Sequence, residues 1–129
     1  MSDKRIQELA EKFIAAWNTQ EVDKVASCYS EDVVYIDPNI HGEITGQPEL
    51  RRYLAKLFEA WKMHWAIKDV QTFKNIDGAA ARWHATLQLA GGGKAMEVDG
   101  MDFIAFKGDK VQRNEVYFDR MAIVDLLKK

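Results

Sequence analysis

Apolar residues recur at steps of three and four through the first segment of the chain. Ile6, Leu9, Ala10, Phe13, Ile14 and Trp17 fall on one helical face, and Ser2 suits the N-cap. Asn18-Thr19-Gln20 breaks the pattern, and Val22, Val25, Ala26 and Tyr29 resume it over a shorter second helix. Val33 to Ile36 is a β-branched and aromatic run closed by Asp37-Pro38, which predicts a strand. Asn39 to Gly46 is a loop. Pro48 opens a third helix, with Leu50, Tyr53, Leu54, Leu57, Phe58 and Trp61 as its stripe.

From His64 onward the period becomes that of strands. His64 to Lys74 alternates imperfectly, as a bulge near Lys68-Asp69 explains. Ala79 to Leu89, Lys94 to Lys107 and Val111 to Phe118 follow, separated by Asn75 to Gly78, Gly91 to Gly93 and Gly108-Asp109. Asp119 caps a closing helix through Ile123, Leu126 and Leu127. Three helices with one inserted strand, then four antiparallel strands on short loops, predict an α+β fold. Residues 1–129 make one domain, with no linker or internal repeat.

Composition narrows the function classes. The chain is 47% hydrophobic and 29% charged, as expected of a globular domain. Its net charge of −2, with no basic block, argues against a nucleic-acid partner. No stretch is long and apolar enough to span a bilayer, and none follows Met1 as a secretory leader would. With Cys28 as the single cysteine, this leads us to expect a cytoplasmic protein. His41, His64 and His84 show no ligand spacing, so neither metal nor other cofactor is expected. The four Trp, four Tyr and six Phe either fill a core or line a pocket for a small hydrophobic molecule.

Strand alternation leaves two assignments open for residues 79–89. Trp83, Ala85, Leu87 and Leu89 share one face; Arg82, His84, Thr86 and Gln88 share the other. Either the apolar set meets the core, or the polar set lines a covered cavity and the apolar set meets a second subunit. Asp102 stands out because it shares its face with Val98, Gly100, Ile104 and Phe106. It is either a surface carboxylate or an acid in an apolar cavity, where desolvation raises its pKa.

The run Tyr29 to Pro38, followed by Gly46 before a helix, resembles the nuclear transport factor 2-like superfamily. Val98 to Phe106, with Gly108, Lys110 and Val111 after it, is similar to the SnoaL-like polyketide cyclase and ketosteroid isomerase-like branch. The resemblance implies a cone, in which a strongly curved antiparallel sheet and three N-terminal helices enclose a pocket. It implies that Arg82, His84 and Thr86 look into the cone. It also implies a homodimer through Trp83, Ala85, Leu87, Leu89, Met101 and Phe103. By the same resemblance Asp37, before Pro38, matches a general base, and Asp102 matches an acid kept protonated to serve an oxyanion. The partner tyrosine of that acid is replaced by Phe13. The epoxide-hydrolase members would need carboxylates where this chain has His84 and Val116.

The candidate catalytic residues are therefore Asp102, Asp37 and His84, the last either as a base or as a partner of Asp102. Phe13, Trp17, Tyr53, Trp61, Trp65, Arg82, Asn114, Val116 and Phe118 are the candidate substrate contacts. Each has a plainer reading: Asp37 as a turn former, Arg82 as half of a wall ion pair, the aromatics as core. The expected function is cofactor-free acid/base chemistry on a small apolar carbonyl compound. The alternative is a dimeric module that binds a hydrophobic ligand or a protein partner without catalysis.

Overall fold

The computed structural model describes residues 1–127, and side chains as far as Val124. Helix α1 (Asp3–Asn18) starts where the pattern predicts, with the Ser2 hydroxyl accepting from the Arg5 amide at 3.1 Å. All six residues of its stripe are buried. Helix α2 (Val22–Ala26) is shorter than predicted, because Tyr29 already opens strand β1 (Tyr29–Ile36). The next loop holds a two-residue strand, β2 (Ile44–Thr45). Helix α3 (Gln47–Ala60) carries Pro48 in its first turn. It stops at Ala60 because Trp61 takes an extended conformation and begins β3 (Trp61–Thr72). Strands β4 (Gly78–Leu89), β5 (Met96–Lys107) and β6 (Lys110–Phe118) complete a meander. Helix α4 (Met121–Leu127) closes the fold with Ile123 buried. The predicted contributions of Leu126 and Leu127 to its stripe lie outside the described side chains.

The six strands form one open, curved sheet in the order β2-β1-β6-β5-β4-β3. β3 to β6 pair antiparallel, as hairpins must. β1 instead joins β6 in parallel, so the sheet is mixed rather than purely antiparallel. The chain returns to β1's side only after the whole meander, and no local turn signal encodes that pairing. The β3/β4 register slips between Ile67 and Asp69, at the predicted bulge, and adds bend to the sheet. Edge strand β3 is covered by amide side chains. Asn18 donates to the Trp65 carbonyl at 2.9 Å and accepts from its amide at 2.7 Å. Gln20 does the same for the Trp61 carbonyl and the Met63 amide, both at 2.7 Å. The apparent helix breaker is thus a clamp that pairs an otherwise bare edge.

The faces of β4 overturn the assignment that the resemblance implied. Ala79, Ala81, Trp83, Ala85 and Leu87 are buried and face the helices, while Arg82 and Thr86 are exposed and His84 is half-buried on the outer side. α1 packs on β3 and β4, so it covers the apolar set and leaves the polar set to water. Trp83, Ala85 and Leu87 are consequently core residues, and Leu89 shares their face opposite Trp61. None of these four can serve as an outer contact for a second subunit. Of the expected dimer residues, Met101 and Phe103 lie on the outer face, each half-buried.

Candidate functional site

Inside the cone the strands and helices deliver a belt of aromatic rings. Tyr53 lies 5.4 Å from Tyr35, centroid to centroid, and Tyr35 stacks on Trp17 at 6.2 Å. Trp17 meets Trp65 edge-on at 5.4 Å, Trp65 meets Trp83 at 6.5 Å, and Trp83 meets Phe118 at 6.4 Å. The belt surrounds a cavity of about 60 Å³ whose mouth includes Asp37 and Trp61. A deeper recess of about 30 Å³ shares Trp17, Tyr35, Trp65 and Val116 with it and ends at Asp102. Each space exceeds the roughly 15 Å³ that one water needs.

Asp102 forms the floor. Its register partners are Ala81 on β4 and Val116 on β6, one small and one apolar. The indole N–H of Trp83 donates to Oδ1 at 3.0 Å. Gly100 makes this possible, since a Cβ there would collide with the Trp83 ring that lies across it. Burial pushes the Asp102 carboxyl up to about 7, and the nearby Asp37 charge adds to that rise; hydrogen bonds from Trp83 and Asn114 oppose it. Near neutral pH a large share of this carboxyl is therefore protonated and able to donate. Behind it, Trp17 donates to the Tyr29 hydroxyl at 3.2 Å, and Tyr29 donates to Asn114 Oδ1 at 2.8 Å. The Asn114 amide nitrogen also reaches the Phe103 carbonyl at 3.2 Å.

Asp37 stands at the mouth, just past the end of β1, and is 6% exposed. Its Oδ1 accepts from the Asn39 amide at 2.8 Å, so the turn-forming role is real. Its Oδ2 accepts from the Tyr35 hydroxyl at 2.8 Å and from the Tyr53 hydroxyl. One carboxyl group thus accepts from three donors. Burial drives both phenols upward, Tyr35 well above the ordinary tyrosine value, so they stay protonated and keep donating.

The expected residues thus divide. Asp37, Trp17, Tyr53, Trp61, Trp65, Val116 and Phe118 line the cavity, and Asp102 ends its recess. Asn114 sits behind Asp102. Phe13 is 1% exposed and packs edge-on against Tyr29 at 5.2 Å, so it is core rather than lining. His84 does not reach Asp102. On the outer face its Nδ1 meets Asp99 at 2.8 Å and its Nε2 meets Glu97 at 2.7 Å. Arg82 is also outside, bidentate on Asp69 across the β3/β4 pair. These two corrections follow from the same reversal of faces.

Sequence reasoning gave Tyr35 no role in the site, although it carries the phenol beside Asp37. The signal was its alternation: Tyr35 and Asp37 sit two apart and share a face. The resemblance places Trp83 outward, yet it is the hydrogen-bond donor to Asp102. A glycine in mid-strand at position 100 is the mark of a ring lying over the backbone.

A family model for the SnoaL-like domain matches residues 10–114. No curated protein sequence matches the chain. Among solved structures, an uncharacterised cystatin-fold protein from Novosphingobium aromaticivorans is 29% identical, with a TM-score of 0.73, over 87% of this chain and 97% of its own. The pinacolase BvnE from Penicillium brevicompactum is 13% identical with a TM-score of 0.84, over 97% and 93%. A protein of ketosteroid isomerase-like fold from Catenulispora acidiphila, solved with trimethylamine, is 15% identical with a TM-score of 0.80, over 92% and 90%.

Proposed function

The chain belongs to the SnoaL-like domain family of the nuclear transport factor 2-like superfamily, and from that premise we propose that it is a cofactor-free acid/base enzyme acting on a small carbonyl compound. The observation that carries this reading is a pair of unlike carboxyls on two adjoining spaces that share Trp17, Tyr35, Trp65 and Val116, Asp37 on the larger and Asp102 on the recess. Asp37 at the mouth accepts from three donors, and Asp102 at the floor is an acid near its midpoint at neutral pH. Environments that separate two carboxyls in this way assign one the base role and the other the acid role.

In the proposed step Asp37 takes the proton α to the carbonyl. The electron pair of that C–H bond moves into the new C–C double bond, and the carbonyl pair moves onto oxygen. Asp102 donates to this oxygen as charge develops there. Return of the proton at a different carbon completes an isomerisation, and attack of the enolate carbon on a second carbonyl completes a ring closure. Trp83 fixes the acid through Oδ1, leaving Oδ2 to carry the proton. Solved proteins of this fold include a pinacolase and one bound to trimethylamine, which supports a small-molecule role for the cavity.

Solvent deuterium exchange at the α-carbon of small ketones, followed by NMR, tests the reading. The wild type should accelerate exchange, and Asp102→Asn should lose roughly 100-fold or more of that rate. Wild-type exchange in a folded Asp102→Asn protein would remove the acid from the mechanism. A second reading, a binding module without catalysis, draws on the two tyrosine hydroxyls that already occupy Asp37 Oδ2. Tight ligand binding with no exchange in the wild type would favour it.

A further inference from the structure

The cavity has an unbalanced charge. Its lining includes Asp37 and, among the described residues, no lysine, arginine or histidine. Buried ionised groups are ordinarily paired. Even exposed carboxylates on the outer face are paired: Asp69 holds Arg82, and Asp99 holds Lys68 and His84. Asp37 is nearly buried, and its hydrogen bonds come from two phenols and a backbone amide, all neutral donors. Tyr35 and Tyr53 touch it, and they line the same cavity with Trp17, Trp61 and Trp65; the faces of such rings carry negative potential.

We infer that the ligand of this cavity carries an alkylated ammonium group, tertiary or quaternary, seated between Asp37 and the rings of Trp17, Tyr35, Tyr53, Trp61 and Trp65. An anionic ligand is opposed by the Asp37 charge, and a neutral one leaves that charge uncompensated. A primary ammonium brings three N–H donors, and Asp37, which already accepts three hydrogen bonds, has about one acceptor position left. A quaternary ammonium brings no N–H and a tertiary one brings a single N–H for the remaining position, and both gain from a nearby negative charge and from ring faces against their alkyl groups. The inference rests on the cavity being the working site, and it places the reacting carbonyl at the Asp102 end.

Choline and 3,3-dimethyl-1-butanol test it, because they share a shape and differ in charge. Calorimetric titration of the wild type at neutral pH should show choline binding about tenfold tighter than the alcohol. Asp37→Asn should erase that preference. Trp61→Leu, on the half-exposed rim, reads the same contrast if Asp37→Asn folds poorly: it should weaken choline and leave the alcohol unchanged. Equal or tighter binding of the alcohol, or no binding of choline at millimolar concentration, overturns the inference. Its failure is separable from that of the proposed reaction. Deuterium exchange on neutral ketones without ammonium preference keeps the reaction and removes the cation, and choline binding without exchange does the reverse.

Discussion

Asp99 and Asp102 lie three residues apart on β5 and have opposite electrostatic lives. Asp99 points out to water, where His84 and Lys68 bond it and hold its carboxyl below the ordinary value. Asp102 points into the cone, where burial raises it to about 7 and its direct partners are an indole and an amide. Strand alternation alone separates the two. The outer face treats charge as ion pairs in a solvated network, which is worth little per pair. The inner face strips water from Asp102 and so keeps much of it protonated near neutral pH. The proton transfer proposed above therefore draws on the inner face.

The sharpest way to break this contrast is to exchange side chains at equivalent depth on β4. Trp83 is 2% exposed, spans Gly100 and donates to Asp102. Trp83→Ala should cost about 3–5 kcal/mol in urea unfolding, from the cavity and the lost hydrogen bond. Arg82→Ala, one position along and outside, should cost far less despite its bidentate ion pair, because solvent screens it. Similar losses for the two would mean that the faces are not as unlike as the burial pattern states.

A second test uses pH. Unfolded, Asp102 titrates near its ordinary 3.8; folded, near 7. Between these values the folded chain keeps a proton that the unfolded chain has released. The folded state then binds more protons, so stability falls as pH rises through this window and levels off above it. The full effect of such a shift is at most about 4 kcal/mol. Asp102→Asn removes the titration, so the difference between variant and wild-type stability should change from pH 4 to pH 8 in the variant's favour. Parallel stability curves for the two proteins would show that Asp102 ionises in the fold as it does in water.

Much of this was legible in the sequence. The meander, the helix order, the bulge beside Lys68 and the anomaly at Asp102 all follow from periodicity and turn chemistry. The faces of β4 were legible too, since alternation put Trp83 and Leu87 together on an apolar set that a helix had to cover. The resemblance reversed that assignment, because loose motifs align a fold well and a register poorly, and one residue of slip exchanges the two faces. The parallel β1/β6 pair and the clamp of Asn18 and Gln20 on β3 were not legible. Both depend on partners 41 to 82 residues away, and no local pattern records such contacts.

The smallest effect concerns the outer network itself. His84 lies between Glu97 and Asp99, and hydrogen bonds to Glu97 first and Asp99 second raise its imidazole above the ordinary 6.5. A raised histidine stabilises the fold fully below its unfolded value, and the contribution disappears as pH rises through the folded value. It therefore runs out near and above neutrality. Because the group is open to solvent, salt should weaken it. NMR titration should place the His84 midpoint above 6.5 at low salt, and Glu97→Gln should bring it down. The same substitution should leave the Asp102 carboxyl midpoint where it was, because the sheet stands between them. If Glu97→Gln also moved Asp102, the two faces would be electrostatically coupled and the outer network would belong to the site after all.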